Sequence, residues 1–370
     1  MKKFIKKLII FFIPVITMTL ILLPFYIAGC TTGEFNSTER NIKLQKKNEA
    51  RLIGCGYNEQ TRYYKFLNCE QRRTKIIALG TSRVMQFKEQ FFNTDFYNCG
   101  GAVGSNYDEY INYLKNLSFN PEVIVLGLDS WVFNEKWNKN LRTYTDFEKI
   151  EPIKRNKLSM LISIFGSWLI KKKWTFDDLK KYRDNVGFNG RIKNEGFLND
   201  GSYYYGYIYT NPESSGDYQF KDTYTRINNG CYGFEYGDII DNKTLELLDD
   251  LLKYCSDKNI YVIGFVPPFA PSIYDKMMQS NNYKYVNQLD ECKRIFDKYN
   301  FEYYNFVDGG EIKDTDDSCF IDGFHGSEIV YGRMCLSMID DNSKLLKYLD
   351  CDRIQFLLKN AYNGLLFDKP

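Results

Sequence analysis

The chain has 370 residues, with 49 basic and 47 acidic side chains, a formal net charge of +2 and a single histidine. Lys2, Lys3, Lys6 and Lys7 account for more than the whole positive excess, so the remainder is slightly acidic and has no basic field to hold a phosphate backbone, which excludes nucleic acid as the expected partner. The ten cysteines form no C-x-x-C pair and have no second histidine beside them, so no metal or other cofactor is expected.

From Leu8 to Thr32 no residue is charged. The run exceeds the about 20 apolar residues that a bilayer span needs, and the lysines before it predict a cytoplasmic start with the rest of the chain outside. Residues 1–30 therefore read as a single-pass anchor in a bacterial cell membrane. A cleaved signal peptide has a shorter core of about 7 to 15 residues. Ile27 to Cys30 resembles the lipobox of bacterial lipoproteins, and lipidation at Cys30 is the alternative. Both readings tether an extracytoplasmic domain.

Residues 31–73 are polar and charged, without a sustained apolar period, and read as a stalk. Cys55 and Cys69 are the pair able to close a local disulfide there, while the scatter of the other cysteines reads as mostly buried thiols. The main domain is then 74–370. Lys75 to Gly80 (KIIALG) has the composition of a buried parallel strand, and a Thr81–Ser82–Arg83 turn and a helix should follow. Asp95 to Cys99 predicts a second strand, with Gly100, Gly101 and Gly104 before a helix from Ser105. Val123 to Leu128 predicts a third. The segment from about 130 to 245 breaks this rhythm and reads as an aromatic-rich insertion that shapes the substrate site. It holds Trp131, Trp137, Trp168, Trp174 and a tyrosine cluster from Tyr203 to Tyr209. Strand-helix alternation resumes with Asn259 to Val266, a helix from Tyr283 to Tyr299, a strand from Glu302 to Val307 and a helix from Ser327. The class is α/β with a central parallel sheet. In such sheets sites form in loops at the carboxyl ends of the strands, where Ser82, the glycine turn, Asp129 and His325 all fall.

Histidine is the side chain best suited to proton transfer near neutral pH, so His325 is the one imidazole available as a general base. It closes an Asp-x-x-His unit, Asp322 to His325. A serine hydroxyl needs a base to take its proton, and the base needs an acid to fix its tautomer. Ser82 as nucleophile, His325 as base and Asp322 as its orienting acid make that set. The expected oxyanion donors are the backbone N–H of Ser82 and one in the Gly100 to Gly104 turn.

The segments GTS (Gly80 to Ser82), NCGGAVGS (Asn98 to Ser105), GLDS (Gly127 to Ser130) and DGFH (Asp322 to His325) resemble, in order, the four sequence blocks of SGNH/GDSL hydrolases. The resemblance covers about residues 74–129 and 258–345 and leaves the insertion unmatched. It implies a flavodoxin-like, three-layer α/β/α sandwich, with Ser82, His325 and Asp322 as the triad. The anchored GTSR form is similar to extracytoplasmic proteins that acylate cell-surface polymers, including alginate acetylation proteins and the D-alanyl transfer protein of teichoic acids. That branch implies transfer of an acetyl or similar acyl group to a cell-surface polysaccharide or teichoic acid-like polymer, with a membrane-bound O-acyltransferase as partner. An esterase or deacetylase of such polymers, or a non-catalytic glycopolymer-binding partner, are the alternatives. The third block departs from the family: Asp129 or Ser130 stands where an Asn side chain serves the oxyanion. Since a carboxylate would repel that charge, Asp129 reads as structural, and the third donor is Ser130, Asn134 or absent, while the second-block glycine is Gly104 or Gly101. Arg83, Trp131 and Asn134 complete the set as expected substrate contacts.

Overall fold

A computed structural model describes residues 2–104, 106–137, 147–362 and 364–366. Its helices are, in chain order, α1 (Lys2–Thr31), α2 (Thr38–Lys46), α3 (Thr61–Arg72), α4 (Tyr107–Asn116), α5 (Lys157–Leu169), α6 (Phe188–Lys193) and α7 (Gly206–Thr210). They continue with α8 (Lys221–Asn229), α9 (Asn242–Asp257), α10 (Pro271–Gln279), α11 (Glu291–Lys298), α12 (Glu328–Asp340) and α13 (Cys351–Lys359). The strands are β1 (Ile76–Leu79), β2 (Phe96–Asn98), β3 (Val123–Gly127), β4 (Glu195–Phe197), β5 (Tyr203–Tyr205), β6 (Tyr261–Val266) and β7 (Glu302–Asn305).

The chain divides into two compact units. The larger comprises residues 61–151, 200–203 and 207–370, and its centre is a five-stranded sheet in the order β2-β1-β3-β6-β7. Every neighbouring pair is parallel, as in Ile77 beside Tyr97, Ala78 beside Val125, Leu126 beside Gly264 and Phe265 beside Tyr304. β1 and β3 are buried along their whole length, which is why IIAL and VIVLG are unbroken apolar runs rather than alternating ones. Gly264 in β6 is required by close approach: a Cβ there would stand 2.2 Å from the ring of Phe296 on α11. After β1 the chain pairs β2 on one side and β3 on the other. This is the switch point at which doubly wound sheets open a crevice.

Two expected helices differ. After Ser82 the chain makes two short 3-10 turns, Ser82–Val84 and Glu89–Phe91. The buried Asn98 amide donates to the carbonyls of Val84 and Phe87, at 2.8 and 2.9 Å, and takes acceptors that a continuing helix would use. The expected Tyr283–Tyr299 helix is a 3-10 turn, Lys284–Gln288, followed by the separate α11, because Tyr285, Val286 and Leu289 all turn into the core. The expected helix start at Ser105 lies outside the described residues; α4 begins at Tyr107, with the Asn106 side chain accepting from the Asp108 N–H at 3.2 Å.

The smaller unit comprises residues 1–60, 152–199 and 204–206. It corrects the expectation of a stalk over 31–73. Glu34 is fully buried and its carboxylate accepts the backbone N–H groups of Gly56, Tyr57, Asn58 and Phe188, at 2.6 to 3.2 Å. Gln45 donates to the carbonyls of Arg51 and Phe197, both at 2.9 Å. Such buried polar ties hold α2 and the following loop against residues 185–197 without any apolar period, so the composition reads as linker while the chain is packed. Residues 61–72 form α3 and belong to the larger unit. The expected insertion is split as well: residues 152–199 join the N-terminal segment, and 207–245 stay with the sheet. Trp168 and Trp174 pack edge-on against Phe25 of α1, at 5.1 and 6.2 Å, and so serve this unit's core. α1 contains the one helix stretch among the described residues long and apolar enough to cross a membrane, Ile10–Thr31. All ten cysteines are free thiols, Cys55 and Cys69 included; Cys69 lies fully buried on α3 beside Cys99.

On α3, the fully buried Lys65 ammonium donates to the carbonyls of Asn98, at 3.0 Å, and Gly201, fixing the carboxyl end of β2. Burial pushes its pKa down to about 7. Because the folded value lies below the unfolded one of about 10.4, the unfolded chain binds the extra proton between them, and the stability from this group rises with pH across that window. The urea midpoint of the native protein is expected to gain on that of Lys65→Met between pH 7 and 9. Parallel pH profiles would refute the assignment.

Candidate active site

Gly80 ends β1, and the chain turns at once. Thr81 caps the short turn with its hydroxyl accepting from the Arg83 N–H at 3.4 Å, and donates to Asp129 Oδ2 at 2.6 Å. This tie between the loops after β1 and β3 aims Ser82 away from the sheet. Ser82 Oγ lies 2.9 Å from His325 Nε2, and His325 Nδ1 lies 2.7 Å from Asp322 Oδ2. The other oxygen of Asp322 accepts the N–H groups of Phe324 and His325 at 3.0 and 2.8 Å. Burial alone would raise the Asp322 carboxyl, but the His325 imidazole and these N–H groups outweigh it and hold the carboxyl below its ordinary range. An ionised Asp322 only accepts, so Nδ1 carries the imidazole proton and the Nε2 lone pair faces the Ser82 hydroxyl. The His325 side chain keeps 13% of its surface exposed, enough for a reacting group to reach it.

The loop carrying Asp322 and His325 is closed on itself and clamped from outside. Ile321 N–H donates to the His325 carbonyl at 2.8 Å, and Ser327 N–H to that of Cys319 at 3.0 Å. Ala270 N–H donates to the Gly323 carbonyl at 3.1 Å, while Gly323 N–H donates to Asp217 Oδ2 at 3.1 Å. Asp217 also receives the backbone N–H and hydroxyl of the fully buried Thr223, at 2.8 and 2.6 Å. A side chain at Gly323 would run into Thr223, its Cβ 2.5 Å from Thr223 Cγ2, so glycine is needed in the DGFH unit. Phe324 sits between Trp131 and Phe234, edge-on at 6.3 and 6.0 Å, with the Arg226 guanidinium 5.4 Å from its ring. Sequence reasoning missed Asp217 and Thr223 as supports of the loop. An Asp six residues before a Thr has no periodic signature, and only the fold brings them to Gly323.

The structure thus brings together Ser82, Asp322 and His325. It does not place the other expected residues as foreseen. Gly101 N–H is taken by the Gly80 carbonyl at 2.8 Å, and Gly104 N–H by Glu109 Oε2 at 2.7 Å. Neither is free to meet an oxyanion, whereas Ser82 N–H has no protein acceptor among the described residues. Ser130 is fully buried and its hydroxyl has no hydrogen-bond partner. Asn134 is fully buried too, donating to the Glu235 carbonyl at 2.6 Å and accepting from Lys136 N–H at 3.0 Å, so it braces its own loop instead of touching substrate.

Arg83 is 1% exposed and is not a substrate contact. Its guanidinium donates to the carbonyls of Pro267 and Pro268 at 2.8 and 2.7 Å, faces Asp129 Oδ1 at 3.7 Å, and lies over the rings of Phe269 and Trp131. One face of Trp131 is therefore occupied by Arg83, and the ring braces Phe324 rather than offering an open platform. Asp129 is the structural carboxylate of the site: burial raises it, while Arg83 and the Thr81 hydroxyl oppose that. Removing either partner of such a buried pair leaves an uncompensated charge, a loss of about 3 to 5 kcal/mol in general.

Among the described residues no group of three or more His, Cys, Asp or Glu side chains is placed to hold a metal ion. No family model, curated protein or solved structure matches this chain.

Proposed function

We propose that this chain is a membrane-anchored, serine-dependent O-acyltransferase of the SGNH type, with a flavodoxin-like three-layer sandwich, working outside the cytoplasmic membrane on a cell-surface polysaccharide or related glycopolymer. The observation that carries the proposal is the relay Ser82 Oγ, His325 Nε2, His325 Nδ1, Asp322 Oδ2, with links of 2.9 and 2.7 Å. Ser82 Oγ attacks the acyl carbonyl as His325 takes its proton, and the developing oxyanion meets the Ser82 N–H. His325 then protonates the leaving oxygen, and an acyl-serine remains. A sugar hydroxyl, deprotonated by the same imidazole, takes the acyl group and frees Ser82. Water as acceptor would make the same site an esterase. Transfer is supported by α1, which is long and apolar enough to hold the site beside a membrane, and by resemblance to polymer-acylating proteins.

Incubating the purified full-length protein with nitrophenyl acetate, followed by peptide mass spectrometry, tests this reading. Acetyl on Ser82 is expected, and its discharge onto an added oligosaccharide separates transfer from hydrolysis. A protein that releases nitrophenol no faster than Ser82→Ala, with no acetyl on Ser82, would sink it.

A further inference from the structure

Between Pro152 and Lys173 the chain carries six basic side chains and no acidic one: Lys154 and Arg155 before an apolar helix, Lys157 as its first residue, and Lys171, Lys172 and Lys173 after it. The helix between them is α5, KLSMLISIFGSWL. One face, Met160, Leu161, Ile164 and Ser167, is buried in the smaller unit's core with Phe25 and Ala28 of α1. The opposite face is apolar as well, yet uncovered: Leu158, Ile162 and Leu169 are 51 to 57% exposed, and Ile170, just beyond the helix, is 78% exposed. A helix with apolar side chains on two opposite faces is stable only where both are covered.

Its neighbour identifies what covers it. Ile162 and Phe165 of α5 line an open, almost wholly apolar groove of about 580 Å³ with α1 residues between Pro14 and Leu22. Those residues lie inside the stretch long and apolar enough to cross a membrane, so the uncovered face of α5 continues the surface of that span. An apolar helix bracketed by cations is the form taken by helices seated at a bilayer surface, apolar side in the acyl chains and cations among the headgroups. On the inner side of α5, a cavity of about 470 Å³ is floored by Tyr57, Ser163, Ser167 and Trp174 and includes Lys171 and Lys173 in its wall. The Ser163 and Ser167 hydroxyls there donate to the carbonyls of Ser159 and Ile164, at 3.0 and 2.8 Å, so the ammonium groups are what the cavity offers a phosphate.

We propose that α5 is a second membrane contact of this protein, seated in the bilayer surface beside α1, with Lys171 and Lys173 holding the phosphate headgroup of an anionic phospholipid. The inference rests on α1 crossing a membrane, as the functional reading has it. Each lysine near an anionic surface favours binding by about five-fold.

The test uses the full-length chain in vesicles of phosphatidylcholine and phosphatidylglycerol in equal amounts, with p-benzoylphenylalanine replacing Leu20, Ile162, Leu169 or the exposed Lys180 in turn. After irradiation, lipid adducts are expected at Leu20, Ile162 and Leu169 and not at Lys180. Adducts at Ile162 should favour phosphatidylglycerol several-fold, and Lys171→Gln with Lys173→Gln should bring the two lipids to parity. Labelling at Leu20 with Ile162 and Leu169 at the Lys180 level overturns the role of α5 and leaves the span standing; no labelling at any position overturns both. Cross-links from Ile162 to a second copy of the chain would assign the face to self-association instead, and equal labelling of the two lipids by the native sequence would overturn the headgroup site.

Discussion

Replacing His325 with alanine is expected to lower ester turnover by about five to six orders of magnitude, the loss typical when one member of a serine triad is removed. No other imidazole exists in the chain to take over the proton. Ser82→Ala should cost as much, and the double variant should be no worse than either single one, because the two side chains act as one unit. Nitrophenyl acetate kinetics on the three variants measure this directly. Additive losses would mean that Ser82 and His325 serve separate steps, which the 2.9 Å contact between them does not allow.

Asp322→Asn should lower turnover by about 10⁴-fold while leaving the loop folded, since an amide in place of the carboxylate favours the wrong imidazole tautomer. The amide oxygen can still accept the N–H groups of Phe324 and His325, so the thermal midpoint should move little compared with the rate. The carboxyl is held below its ordinary range despite burial, by His325 and those N–H groups. A depressed carboxyl contributes stability above the unfolded value of about 3.9 and loses it as pH falls through the folded value. The stability difference between the native protein and Asp322→Asn should therefore shrink as pH falls below about 4. A difference that grew over that acid range would reverse the sign and remove Asp322 as the ionised partner of His325.

The core of the sheet was legible because burial on both faces leaves unbroken runs such as IIAL and VIVLG, which few other arrangements require. Ser82, Asp322 and His325 were legible because strand ends place short loops predictably and because one histidine leaves no competitor. The smaller unit was not. Its packing depends on Glu34 and Gln45 meeting backbone groups more than a hundred residues away, at Phe188 and Phe197, and polar ties of that kind have no period in the sequence. Arg83 misled for a related reason: a cation beside a nucleophile suggests a substrate contact, but proline carbonyls, a carboxylate and two aromatic faces from other loops enclose it. The glycine turn was found but its N–H groups were not foreseen to be occupied, since their acceptors, Gly80 and Glu109, are set by the turn's conformation.

The contact between Ser82 and His325 joins positions 243 residues apart. During synthesis the serine is made well before its base, so until His325 is in place Ser82 is an ordinary alcohol. Contacts of such long separation close late in folding. On the proposed reading, the hydroxyl becomes reactive only when β7 and the DGFH loop are in place, and a chain halted before them would carry no nucleophile able to misdirect acyl groups.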